Sequence, residues 1–155
     1  MTPFSEKSNF RRTADWLHAC GKEVGNNHHL ATQVGCHLEE ICEQLDELMI
    51  VGSAADNESL ILVSTRIKGL AHRLKQGHTS IRIKDRVAFL DGLCDGEVTG
   101  NGVAYLAGMN KEEADRRVLF SNESKLNADG TPVILAGGKI GKSDRYVKPF
   151  LVDCV

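Results

Sequence analysis

Between Lys84 and Met109 the chain is apolar nearly all round, and a small residue returns at every fourth position: Gly92, Gly96, Gly100, Ala104 and Gly108. A helix that is apolar on all sides belongs inside a bundle, so this segment is expected to be a central helix. Each internal glycine costs about 1 kcal/mol relative to alanine, so the spacing needs a reason. On a helix the five positions form one smooth ridge that lets another backbone approach closely. The competing reading makes Gly100-Asn101-Gly102 a turn and ends the helix there. The continuous helix is the expectation adopted here.

The rest of the chain is read as helices around this one. Residues from about Ser5 to Cys20 form a helix with Phe10, Ala14 and Leu17 on one side, stopped by Gly21. GKEVGNNHH is a loop. From about His29 to Ile50, the stripe Leu30, Val34, Leu38, Ile41, Leu45, Leu48 has steps of three and four and predicts an amphipathic helix. GSAADN is a linker with Asn57 as N-cap. Leu60, Val63, Ile67, Leu70 and Leu74 predict the next helix, with Arg66, Lys68, Arg73 and Lys75 on its outer side and Gly77 at its end. Asn110 with Glu113 three residues on marks a capping box, opening a short helix that runs to about Leu126. After that the character changes. Val133–Leu135 looks like a strand, Gly137-Gly138 a tight turn and Lys139-Ile140 a return. The fold class is therefore all-α: four to five helices over about 5–126, with a small C-terminal β-hairpin in 127–155. The 155 residues suit one compact domain.

Composition excludes several function classes. Hydrophobic residues make up 41%, which argues for a packed core and against disorder. A net charge of -2 predicts no general attraction to nucleic acid or membrane. The five cysteines are odd in number and form no CxxC, so neither a disulfide framework nor a zinc ribbon is expected. No signal peptide and no bilayer-spanning apolar run is visible, and the cytoplasm is the expected location.

Two acidic clusters carry the candidate chemistry. The first is Glu39, Glu40, Glu43 and Glu47 in HLEEICEQLDEL, and the second is Asp91 and Asp95 in VAFLDGLCDGEV. Carboxylates three or four apart share a helix face. Hard divalent cations are held by such oxygens. The plain reading of the first cluster is a solvated polar face. The second interrupts an apolar helix, where a buried carboxylate needs a cation, a metal or a proton. A salt bridge to Arg82 or Arg86 and a metal site both meet that need. Asn122 and Lys125, three apart in LFSNESKL, pair an amide with an ammonium and suit anionic oxygens, although surface placement is the commoner fate of such a pair.

Other motifs fail on context. AGGKIGKS resembles a P-loop but has Ala136 at the first glycine position and no helix after it. There is no HExxH and no repeated Glu-x-x-His for a di-iron bundle.

HLEEICE, an acidic pair in a central helix and NESK together resemble the MazG-type all-alpha nucleotide pyrophosphohydrolases, a superfamily that includes phosphoribosyl-ATP pyrophosphohydrolases. The resemblance covers about Asn9 to Pro149. The ending from Ser121 looks like that of small phage-encoded members, which would place the protein in the host cytoplasm. The family carries Glu-x-x-Glu, then Glu-x-x-Asp, then Asn-x-x-Lys. The resemblance maps these onto Glu40 and Glu43, onto a pair ending at Asp95, and onto Asn122 and Lys125. One departure is Gly92, where the family has glutamate; Asp91 stands one residue earlier.

The resemblance implies a MazG-like bundle and cleavage of a (deoxy)nucleoside triphosphate, a purine such as dGTP or dATP, between the α and β phosphates. Magnesium, or manganese, would be held by Glu40, Glu43, Asp91 and Asp95, and Glu39 or Glu40 would act on the attacking water. Asn122 and Lys125 would hold the triphosphate, with Lys139 and Lys142 as further contacts. A homodimer or homotetramer is implied, with the glycine ridge as a packing surface. The alternatives are phosphoribosyl-ATP hydrolysis, or a non-catalytic helical dimer that binds or regulates.

Overall fold

A computed structural model describes residues 7–135 and 139–155 of the chain. It is all-α: α1 Asn9–Ala19, α2 Asn27–Asp46, α3 Ala54–Lys75, α4 Arg86–Leu106 and α5 Lys111–Glu123, with a short 3₁₀ turn at Val152–Cys154. No helix is long and apolar enough to cross a membrane. The chain divides into two compact units, residues 23–84 and residues 1–22 with 85–155.

The first unit is an antiparallel pair of long helices. Asn26 caps α2 by accepting the His28 and His29 N–H groups at 3.0 and 3.1 Å. Ala31, Gly35 and Cys42 of α2 are buried, as are Ser64, Ala71 and Leu74 of α3. Most of these residues are small, so the two backbones approach closely. A methyl group added at Gly35 would stand 2.8 Å from the Ala71 carbonyl oxygen and 3.2 Å from Leu74 Cβ. Ser64 is satisfied in this interior: its hydroxyl donates to Asp46 at 2.7 Å and its carbonyl accepts from the Cys42 thiol.

This buried line only partly follows the apolar stripe expected on α3. Leu74 is inside, but Val63 and Leu70 are 48% and 38% exposed, and Ile61 and Leu62 are exposed as well. Small residues took the contact line because it is a close helix crossing, and the branched side chains were left to an outer face. Asn57 is not the N-cap. Ser53 caps α3 a turn earlier by accepting the Asp56 N–H, because Ala54 and Ala55 extend the helix. Asn57 instead accepts the Ile50 N–H at 3.1 Å and ties the linker to α3. That bond holds Ile50 outside α2, which ends at Asp46.

In the second unit, α1 is joined to the end of α5 by a bidentate pair. Arg12 donates to both oxygens of Glu123 at 2.8 and 2.9 Å. Helix α1 ends at Gly21 and α3 at Gly77, both in the left-handed region as expected. Helix α4 runs unbroken through Gly100 and Gly102 and ends at Gly108, with φ +76°. There the Met109 and Gly108 N–H groups close back onto the Ala104 and Tyr105 carbonyls.

The expectation that α4 is covered on all sides is corrected. Within its unit only Ala104 is buried, and Val87, Val98, Val103 and Leu106 are 68–86% exposed. The ridge glycines Gly92, Gly96 and Gly100 meet no described atom within 4 Å of an added Cβ, and Gly108 lies beyond the end of the helix.

Asn110 caps α5 by accepting the Glu113 N–H, but the reciprocal half of the capping box does not form. Glu113 turns to Arg116 and Arg117, because two guanidinium groups compete better for a carboxylate than one backbone N–H. The Asn110 N–H goes to the Cys154 carbonyl. Arg117 also binds Asp153 and the Phe150 carbonyl, which fixes the C-terminal turn onto α5. The expected hairpin is reduced, among the described residues, to two isolated bridges, Leu126 with Pro132 and Ile134 with Ile140. Pro132 has no N–H to extend a ladder, and Ser143 is drawn away to the Ser124 carbonyl. The expected turn at Gly137-Gly138 lies outside the described residues. No disulfide joins the cysteines, and Cys20, Cys42 and Cys154 are buried.

Two outcomes follow. Gly35→Val should lower the melting temperature by on the order of 5 °C through overpacking at the helix crossing, while Gly69→Ala, which meets only the flexible Arg73 side chain, should not lower it; equal melting temperatures would contradict the close crossing. The second concerns acid. Hydrogen bonds from Arg116 and Arg117 hold the Glu113 carboxyl at about 2 against its ordinary 4.5. A depressed carboxyl stabilises the fold above its unfolded value, and that contribution is lost as pH falls through the folded value. Thermal melts between pH 5 and 2 should show falling stability, with a shallower fall in Glu113→Gln.

Candidate functional site

The first acidic cluster is sorted by its neighbours into two groups. Glu39 pairs with Lys75, and Asp46 pairs with Lys68. Glu39 and Asp46 are two turns apart on α2, as Lys68 and Lys75 are on α3, so the two ion pairs brace one edge of the helix pair. The Lys68 and Ser64 hydrogen bonds hold the Asp46 carboxyl below the usual carboxylate range. Glu39 is thereby engaged in structure. Sequence reasoning passed over Asp46, although its spacing of seven from Glu39 was visible. Glu43 stands one turn from Glu39 and its charge also reaches Lys68; Glu40 and Glu43, with Glu47 at the C-cap of α2, are exposed.

Asp91 and Asp95 share a flank of α4 and are exposed. This corrects the expectation of a buried pair: a carboxylate on an uncovered helix is solvated. The expected alternative, a salt bridge to Arg82 or Arg86, does not form among the described residues. Glu40 and Glu43 belong to one unit and Asp91 and Asp95 to the other. Among the described residues no group of three or more His, Cys, Asp or Glu side chains gathers at a point that could hold a metal ion. The donor chemistry nonetheless suits a hard cation, since all four are carboxylates paired on a helix face.

The third motif is built more fully. The Lys125 ammonium donates to Asn122 Oδ1 at 2.7 Å and stands 5.7 Å from the centre of the Trp16 ring. Both residues are half-buried at the end of α5. The Arg12–Glu123 fork holds α1 there, which brings Trp16 beneath Lys125. Cys20 is buried on the same helix. Burial pushes its thiol pKa up, and the charges of Lys22 and Lys125 oppose that shift. The arrangement fixes a cation and leaves the Asn122 amide N–H groups to donate beside it, which suits phosphate oxygens.

The tail is laced to this end of α5. Ser124 accepts the Val147 N–H at 2.9 Å, and Ser143 donates to the Ser124 carbonyl. Lys142 adjoins that anchor, with its ammonium 4.4 Å from the Tyr146 ring centre. Lys139 is exposed. Trp16 and the Ser124 anchor were not found from sequence. Trp16 is 109 residues from Lys125, and no periodicity links such distant positions.

No family model, no curated protein and no solved structure matches the chain.

Proposed function

We propose that the protein is a magnesium-dependent, MazG-like (deoxy)nucleoside triphosphate pyrophosphohydrolase that acts on a purine nucleotide such as dGTP or dATP. The observation that carries this reading is the Lys125–Asn122 pair, held over Trp16 as a preorganised anion site. Glu40 with Glu43, and Asp91 with Asp95, would hold magnesium, or manganese in its place. The bound ion supplies neutralisation of charge on the phosphate oxygens.

Lys125 and Asn122 grip the triphosphate, and Lys142 on the anchored tail adds charge, with Lys139 as a further contact. A water oxygen bonds to phosphorus as the α–β phosphoanhydride bond breaks, giving nucleoside monophosphate and pyrophosphate. The carboxylate that takes the water's proton is Glu39 or Glu40. Asp91 takes the place of the glutamate absent at position 92.

Two acidic pairs on separate units need a common assembly. The reading includes a homodimer or homotetramer in which a second copy covers α4, because burying its exposed apolar side chains and open glycine ridge requires a partner surface. The exposure of all four carboxylates favours one competing reading, a non-catalytic helical dimer with a solvated acidic face. Phosphoribosyl-ATP hydrolysis is the enzymatic alternative.

Incubation with a nucleotide panel and magnesium should release pyrophosphate from at least one purine triphosphate, and Glu43→Ala should lose at least about a hundredfold in rate, as expected when a charge-stabilising group is removed. Millimolar magnesium should also raise the melting temperature by mass action. No pyrophosphate and no thermal response would leave the solvated face as the answer. Gly96→Leu should reduce the assembled mass by light scattering while the chain stays helical; unchanged mass and activity would remove the ridge from the interface.

A further inference from the structure

One hollow among the described residues lies within a single unit and holds none of the residues assigned above. It is an open depression of about 780 Å³ between the start of α1, the second half of α4 and the first turn of α5. That volume is within the range of small-molecule sites. Its α4 wall is unusual for that helix. Glu97, Asn101 and Tyr105 recur at every fourth residue and form a polar stripe on an otherwise apolar and glycine-rich surface. Asn9 faces the same hollow from α1 and Glu112 from α5.

The state of these groups decides what the hollow suits. Among the described residues, the side chains of Asn9 and Asn101 have no hydrogen-bond partner, and Glu97 and Glu112 have no ion pair. The other charged residues of the lining are matched: Lys111 with Asp115, and Glu113 with Arg116. The surplus charge is therefore negative, which disfavours a phosphate. The phenol ring of Tyr105 is 81% exposed and offers a flat face. Carboxamides present a donor and an acceptor side by side, as recognition of a nucleobase edge requires, and carboxylates accept from an exocyclic amine. Aromatic faces stack on bases.

We infer that this hollow seats the base of the nucleotide and takes a heterocycle with an exocyclic amino group: Asn101 and Asn9 read its edge, Glu97 or Glu112 accepts from its amine, and Tyr105 stacks on its face. The inference rests on the triphosphate reading for its biological meaning but not for its test. The same helix carries Asp91 and Asp95, so a base seated at one end of α4 leaves the phosphates directed away from the surplus carboxylates.

Titration with nucleosides, which have no phosphate to hydrolyse, separates the two claims. Followed by NMR, deoxyadenosine should shift the Asn101 and Tyr105 resonances of the wild-type protein. Deoxyinosine, which lacks the 6-amino group, should bind roughly tenfold more weakly. Asn101→Leu and Tyr105→Ala should each weaken deoxyadenosine binding to a similar degree, and Glu97→Gln should narrow the gap between the two nucleosides. Nucleoside binding with these losses, in a protein that releases no pyrophosphate, would uphold the base site and refute the hydrolase. Pyrophosphate release with a base preference unchanged in Asn101→Leu, or no shift by any nucleoside, would overturn the base site. A response to spermidine instead of nucleosides would also overturn it and make the hollow a polyamine site.

Discussion

Helix α4 sets the terms for the rest of the chain, because it carries a broad apolar surface and little of its own unit covers it. Burying a valine, leucine or phenylalanine side chain contributes about 1.5–3 kcal/mol. Val87, Leu90, Val98, Val103 and Leu106 all stand more than half exposed. Left in water, they forgo an amount on the order of 10 kcal/mol, which is comparable to the whole stability of a typical domain. The glycines sharpen this requirement. They weaken the helix by propensity, and among the described residues of its unit no neighbour exploits the space they leave. A covering surface that needs a smooth ridge explains both costs, and the proposed second copy supplies one.

The α2–α3 pair shows the same device with its partner in place. Gly35 lets two backbones approach so closely that no methyl group fits between them, and the interior is filled by alanine, serine and cysteine, with Leu74 as the large residue. Charge is then arranged around that contact. The Glu39–Lys75 and Asp46–Lys68 pairs lie at one edge. Partly exposed ion pairs of this kind contribute little energy, but they fix register. Glu39 and Asp46 thereby serve the packing of the helix pair.

Local periodicity was enough for the helices. The three- and four-residue steps of α2, and the glycine stops at Gly21 and Gly77, gave elements close to those observed, whereas Gly108, read as part of the ridge, is instead the left-handed residue just past the end of α4. The unbroken α4 was also legible, since the fourfold spacing of small residues favoured a helix over a turn at Gly100-Asn101-Gly102. What sequence did not reveal were facts that depend on tertiary partners. Asn57 lost its cap to Ser53 and bound Ile50. Glu113 left Asn110 for two arginines. Trp16 came to lie under Lys125 through Arg12–Glu123, a contact across 111 residues. The largest error concerned environment: apolar neighbours in sequence implied that Asp91 and Asp95 were buried, whereas both are exposed because α4 has no cover within its unit. Of the candidate site, the Asn122–Lys125 contact was readable from a spacing of three. The tail's anchorage at Ser124 was not.

The central claim is that the carboxylate pairs on α2 and α4 act together on one divalent cation site. Calorimetric titration of manganese into wild-type protein, Glu43→Ala, Asp95→Asn and the double variant tests it most directly. If the pairs share a site, either single substitution removes most of the affinity and the double is little worse than the singles. Losses that add independently, or no manganese binding in the wild type, would contradict it.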